Sequence, residues 1–476
     1  MRSMFSGVSG LRAHQLKMDV IGNNIANVNT VGFKGQRANF QEVFSQTIKG
    51  AGSPQLGRGG TNPQQIGLGI SLSSVDTFHV RGAVQRTDNN TDLAINGDGF
   101  FILSNSNDFL SRAYTRAGNF TLDEDGNLVA SNGYRVLGYM EDELKNTGDK
   151  PVLKGTMEGL VISKSKSFPA METDKATFTG NLNNNLTKLK AGDTVKYTTK
   201  TKSTKVPPIA ELEFPTGVEY RETTSTFYDS LGGQHNIKFI FVRGIKGLSK
   251  SATGDDGVVQ DKDSGSDSEW GVIVQNLETG TFFSTDSSDT GEPNITQIIR
   301  SISFDSDGKL TGATQNLKLT IPGKNGSSEF DVDVDLSQLT AFSNESSASV
   351  STKNGYKQGY LDTFSIGPTG EIYGIFTNGQ SRVIGQVALA AFKNPSGLEK
   401  TSENMYQVTP NSGDAIYGLP GSSGLGALNP GTLEMSNVDI SREFTEMIST
   451  QRGFQANSRI ITTSDEMLQE LVNMKR

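Results

Sequence analysis

The chain has no cysteine, and only three histidines and one tryptophan among 476 residues. Without cysteine, no disulfide framework, thiolate nucleophile or Cys-based zinc site can form. The histidines, His14, His79 and His235, lie far apart in sequence. No run of about 18 apolar residues occurs, so no membrane insertion is expected. The start, Met1-Arg-Ser-Met-Phe-Ser-Gly7, meets polar residues too early to hold a signal-peptide core. The expectation is a protein that stays inside or leaves by a route that cleaves no signal. Excess positive charge is lacking too: net charge is −8 and the pI about 5.2, which argues against nucleic acid as a partner.

Catalytic motifs are also scarce. No Gly-x-x-x-x-Gly-Lys-Ser/Thr run or Gly-x-Ser-x-Gly elbow is present. Gly57-Arg-Gly59-Gly60 and Gly421-Ser-Ser-Gly424-Leu-Gly426 do not open a helix after a strand, so they make poor phosphate cradles. Asp123-Glu-Asp125-Gly126 and Asp261-Lys-Asp263 to Glu269 evoke calcium loops, but both depart from the EF-hand spacing. The sequence reads as neither an enzyme nor a cofactor binder.

What is present is glycine, 54 residues of it, with a modest 34 % hydrophobic share. That balance favours turns and short strands, and the length implies several domains. Both ends differ from this pattern. Met4, Val8, Leu11, Met18, Ile21, Ile25 and Val28 recur at helical spacing and mark one stripe. From Asn437, read as the cap, a proline-free stretch runs to about Met474. Ile440, Met447, Phe454, Ile461 and Leu468 form an apolar heptad row. A second row, Phe444, Gln451, Ser458, Asp465 and Val472, is apolar only at its ends. Burying the five residues of the first row is worth about 8–15 kcal/mol, but only against a partner. Residues 50–69 hold seven glycines, and 409–432 hold six glycines and three prolines, as linkers do. The expected architecture is an α-helical coiled-coil arm from the paired ends, plus inserted mainly-β domains, hairpin-rich and barrel-like.

Three segments carry a hairpin pattern, Leu122–Leu128, Phe304–Leu310 and Ile366–Ile372, each with a glycine four residues after an apolar one. Residues 226–242 read as strand, tight turn and strand, and 382–392 as a buried strand. The acidic stretch 255–292 reads as a solvated tip.

The segment Asp19-Val-Ile-Gly-Asn-Asn-Ile-Ala-Asn-Val-Asn-Thr-Val-Gly-Phe-Lys34 resembles the N-terminal signature of bacterial flagellar rod and hook proteins. Glu434-Met-Ser-Asn-Val-Asp-Ile-Ser-Arg-Glu443 and Met447–Asn457 resemble the matching C-terminal helix. Ala94–Phe101, Tyr114–Asn119 and Gly133–Tyr139 add further likeness. The signature positions are Asn23, Asn24, Asn27, Gly32, Phe33, Asn437, Gln451 and Arg452. The large middle, about 145–355, resembles hook members rather than the shorter rod members.

The resemblance implies a homopolymer: a tube of identical subunits outside the cell, serving as a flexible joint between motor and filament. It also implies flagellar rod, hook cap and hook–filament junction proteins as partners, and type III export through the flagellar apparatus. A distal rod subunit and a secreted adhesin are the competing readings. The domains expected on this basis are 1–30 with 437–476 as inner-tube helices, and 31–75 with 409–436 as linkers. A first β-domain follows at 76–150 with 356–408, and an outer one at 151–355, with a possible subdomain about 246–330. The assembly interface is expected on the apolar stripes of both helices. Lacking cysteine, the chain cannot form the cysteine-derived crosslink of some hook proteins.

Overall fold

A computed structural model describes residues 2–54, 57, 59–142, 152–189, 194–200, 209–245, 249–250, 258–260, 269–278, 280, 282–283, 299–311, 316–422 and 424–474. It divides into two compact units, one of Met1–Lys166, Leu361–Ile375 and Ser381–Arg476, the other of Ser167–Tyr360 and Phe376–Gln380. Both chain ends therefore belong to the first unit, and the second begins at Ser167 rather than at residue 151.

The first unit carries the two helices, α1 (Arg2–Ala26) and α2 (Ile440–Met474). Asp439, not Asn437, caps α2: its Oδ1 accepts the Ser441 N–H at 2.9 Å. At the end of α1, Asn27 donates its side-chain amide to the Asn23 carbonyl at 2.9 Å. The β part is built around Arg135–Glu141, which pairs antiparallel with Phe100–Ser104, Leu153–Gly159 and Ser381–Val387. Phe100, Ile102, Tyr114, Leu137, Phe392 and Tyr406 form one of its buried clusters.

The stretches expected as slack linkers are sheeted instead. Gln36–Glu42 pairs with Ile70–Thr77, and Ser45–Lys49 with Gln64–Gly67, so the first glycine-rich stretch sits at the end of a β-ribbon whose strands flank it. Near the C-terminus, Ile416–Gly418 pairs with Leu389–Ala391, Ala427–Pro430 with Leu93–Asn96, and Thr432–Glu434 with Val84–Arg86. Glycine marked turns between strands here, not freedom.

In the second unit, a five-stranded sheet contains Tyr220–Tyr228, Gln234–Arg243, Glu269–Asn276, Ile299–Phe304 and Leu310–Thr311 in that order. A four-stranded sheet holds Asn316–Ile321, Phe330–Thr340, Lys175–Asn181 and Ser349–Lys353. Phe330, Val332, Val334 and Leu336 alternate inward along their strand, with Asp331 and Asp333 outward. They pack with Phe178, Phe227, Phe239, Phe241 and Trp270 in one core. Ile240, Val242 and Ile273, on the opposite face of the five-stranded sheet by strand alternation, join Leu189, Val195, Ile245 and Phe282 in a second core.

Two expectations change here. The acidic stretch is not all solvated tip, because its Trp270–Val274 run forms a buried strand. Ile299–Phe304, Leu310–Thr311 and Asn316–Ile321 join the main sheets rather than a subdomain of their own; a separate small sheet is made by 194–200, 209–213, 249–250 and 258–260. The expected calcium loop at 261–269 lies almost wholly outside the described residues. Among the described residues, no cluster of three potential metal ligands occurs, and no helix is long and apolar enough to cross a membrane.

The three hairpins close as expected. Gly126, Gly308 and Gly370 have φ of 85°, 71° and 80°, the left-handed region their turns require. In each, the glycine N–H donates to the carbonyl three residues back, at 3.0–3.1 Å.

Candidate assembly site

The helices run antiparallel against each other, and most of the contact lies beside the apolar rows, with Ile461 the row member that meets α1. The Asn24 side chain donates to Glu443 Oε2 at 3.2 Å, and Lys17 Nζ lies 3.3 Å from Glu446. Farther along, a Cβ on Gly453 would meet the His14 ring at 2.7 Å, and one on Gly10 would meet Asn457 Nδ2 at 2.7 Å. Gly7 faces Asn457 and Ile461. The touching row on α2 is Glu443, Glu446, Gly453, Asn457 and Ile461, with Thr450 and Ser464 also buried. It is mostly polar or small, with Ile461 its apolar member. Glycine at 10 and 453 leaves room for the Asn457 amide and the His14 ring, which a Cβ would crowd at 2.7 Å.

The apolar rows therefore do not zip the two helices into a coiled coil. Of the α1 row, only Ile21 is buried; Met4, Leu11, Met18, Ile25 and Val28 are half-buried and Val8 exposed. On α2, Met447, Phe454 and Ile461 are half-buried, whereas Ile440, Phe444, Leu468 and Val472 stand in water, the last at 65 %. Phe5, Leu16, Ile448, Ile460 and Met467 are exposed as well. Both helices thus present large apolar side chains to solvent, more than scattered surface residues would give.

Below the helices, the two signature segments close a buried knot. Gly32, at φ 67°, donates its N–H to the Glu434 carbonyl at 2.8 Å; a Cβ there would sit 2.5 Å from the Ala117 nitrogen. Phe33 is buried beneath Lys400, whose Nζ lies 4.3 Å from the ring centre. Lys34, fully buried, donates to Glu434 Oε1 at 2.7 Å and to the Val80 carbonyl at 2.9 Å. Arg116 Nη1 lies 3.5 Å from Glu434 Oε2, and the Gly82 N–H donates to Glu434 Oε1 at 3.0 Å.

Asn437 ties the same three segments: it accepts from the Gly35 N–H at 2.8 Å and donates to the Phe78 and Val80 carbonyls. Asn24 bridges to Gln36 through both ends of its amide, at 2.8 and 3.0 Å. Gln451 and Arg452 lie exposed on α2. Burial lowers the Lys34 and Arg116 pKa values, against the pull of Glu434. Burial first, then Lys34 and Arg116, push the neighbouring His79 imidazole down to about 4.

Sequence reasoning quoted Lys34 and Glu434 within motifs but gave neither a role. The signal was available: a lysine flanked by Gly-Phe in a stretch destined for burial demands a carboxylate partner. In the second unit, His235 Nε2 lies 3.2 Å from Asp229 Oδ2, with both side chains fully buried. Asp229 Oδ1 accepts the Leu231 and Gly233 N–H groups, so the pair pins a turn.

Four family descriptions match the chain. They are the flagella basal body rod protein at 4–34, the flagellar hook protein FlgE/F/G D1 domain at 94–165, the flagellar basal body protein FlaE D2 domain at 199–356, and the flagellar basal body rod FlgEFG protein C-terminal region at 429–474. The flagellar hook protein FlgE of Borreliella burgdorferi is 39 % identical over the full length of both chains. That of Treponema pallidum is 36 % identical, again over the full length of both. The Escherichia coli protein of the same name is 31 % identical over 98 % of each chain.

Proposed function

This chain belongs to the flagellar hook protein family and is a subunit of the bacterial flagellar hook; from that premise we propose how it assembles. Its exposed helical faces are the polymerisation surface, and the subunit builds a tube of identical copies through them. The supporting observation is the split between the two faces of α2. The small polar face is spent on α1 within the subunit, while Ile440, Phe444, Leu468 and Val472 remain in water.

Burying these rows against neighbouring copies contributes roughly 1.5–3 kcal/mol per large side chain. The β-units are folded around their own cores and decorate the tube without holding it together. The subunit is structural, has no catalytic role, and carries torque between rod and filament. Its partners are the rod, the hook cap and the hook–filament junction proteins. It reaches the cell exterior through the flagellar export apparatus, keeping its N-terminus. The rod-subunit and adhesin readings are not favoured by full-length likeness to hook proteins.

The test is assembly of the purified chain, followed by electron microscopy as its concentration rises. Tubes are expected above a threshold concentration, and none from a chain lacking 440–474. Tubes from the truncated chain would place the polymer contacts in the β-units and overturn the proposal.

A further inference from the structure

Glu434 sits five residues before the Asp439 cap of α2, and Lys34 eight residues after the last residue of α1. The short connections to both helices start from this one ion cluster. Within it, two buried cations, Lys34 and Arg116, share the single carboxylate of Glu434; Asp98 attracts Arg116 without forming a salt bridge among the described residues. The cluster also holds the β-body, because Gly82 and Val80 bond to it and Arg116 Nη1 donates to the Gly97 carbonyl at 2.9 Å.

We propose that Glu434 is the positioning residue of the helical arm, fixing the direction in which both helices leave the β-body so that copies of the chain can stack. The proposal rests on the hook-subunit reading. An apolar contact could hold these segments together, but it would tolerate sliding. A buried carboxylate held by two hydrogen bonds, from Lys34 and the Gly82 N–H, and by an ion pair with Arg116 at 3.5 Å does not, because any shift strands a charge away from water.

The charge count makes the proposal distinctive. Removing Lys34 leaves Arg116 and Glu434 as a neutral pair, and the Val80 carbonyl keeps its bond from Asn437 at 3.1 Å. Removing the carboxylate leaves two buried like charges. Lys34→Met therefore relieves Glu434→Gln instead of adding to it, a reversal of sign that a simple packing role would not give.

The experiment uses the full chain as wild type, Glu434→Gln, Lys34→Met and the double variant. Tube yield at one fixed concentration and tube helical twist from electron cryo-microscopy are the readouts. Glu434→Gln is expected to lose tube yield by more than about tenfold, and the double variant to recover at least about threefold of that loss. Lys34→Met keeps the native twist, whereas tubes of the double variant, lacking the lock, show an altered twist. Should Glu434→Gln fail to fold, the double variant must show the higher thermal midpoint.

A double variant as poor as Glu434→Gln overturns the charge argument. Native twist in the double variant reduces Glu434 to a stabilising residue and overturns its positioning role. If wild type forms no tubes, the hook-subunit assembly reading fails first, and the thermal midpoints still test the cluster.

Discussion

The second unit and the helical arm treat apolar side chains in opposite ways. In the second unit, Phe178, Phe227, Phe239, Phe241 and Trp270 are all shielded from water within one chain. In the arm, Phe5, Ile440, Phe444, Ile448 and Val472 face solvent, and where the two helices touch they bring together glycine, asparagine, Ile461 and the half-exposed Lys17–Glu446 ion pair. One region closes its apolar surface within the subunit; the other leaves it open to solvent. On the assembly proposed above, the β-units stay folded at every stage and ordering of the arm is conditional on neighbours.

Four changes would break or sharpen that contrast. The largest effect belongs to Phe444→Asp. A charge placed in the buried polymer contact costs about 3–5 kcal/mol, raising the concentration needed for tubes at least about 100-fold. Melting of the isolated subunit is expected to stay unchanged, which sedimentation and calorimetry check together. Phe239→Ala gives the mirror image. It empties a core position 4.8 Å from the Phe178 ring and lowers stability of the second unit by about 3–5 kcal/mol, with helix content unaffected.

A third effect comes from pH. His79 titrates near 4 when folded and at 6.5 when unfolded. Its depressed folded pKa means the stabilisation is present above pH 6.5 and is lost as pH falls toward 4, on the order of 2–3 kcal/mol. His79→Gln removes that slope from the first unit, measured as urea midpoints across this window. The smallest effect is Gly10→Ala. Its methyl group meets the Asn457 amide at 2.7 Å, so that side chain must turn aside. The gain in helix propensity of about 1 kcal/mol offsets the crowding, and a net change under about 1 kcal/mol in amide exchange along α1 is expected.

Much of this organisation was legible in the sequence. Helical spacing at both ends located α1 and α2, and glycine four residues past an apolar residue located three hairpins, because a positive φ restricts the choice of residue. The face joining the helices was not legible by hydrophobicity, because close approach selects small residues such as Gly10 and Gly453 rather than large ones. The apolar rows, expected as the assembly interface, stay largely open to solvent in the subunit, whereas the coiled-coil pairing expected of the two ends is not what joins them.

The sheeted ends were hidden for another reason. Leu93–Asn96 finds its partner at Ala427–Pro430, and no local pattern reports a pairing across so much chain. The Lys34–Glu434 pair shares that obstacle: each residue stood in a recognised motif, but only the fold brings them to 2.7 Å.

The central claim is that the arm's apolar rows are reserved for other copies of the chain. Amide hydrogen exchange across 440–472, measured on the soluble subunit and again on assembled tubes, tests it most directly. The account predicts weak protection in the subunit and strong protection in the tube, with the strands Lys175–Asn181, Gln234–Arg243 and Phe330–Thr340 of the second unit equally protected in both. Strong protection of α2 before assembly, or none gained on assembly, would contradict it.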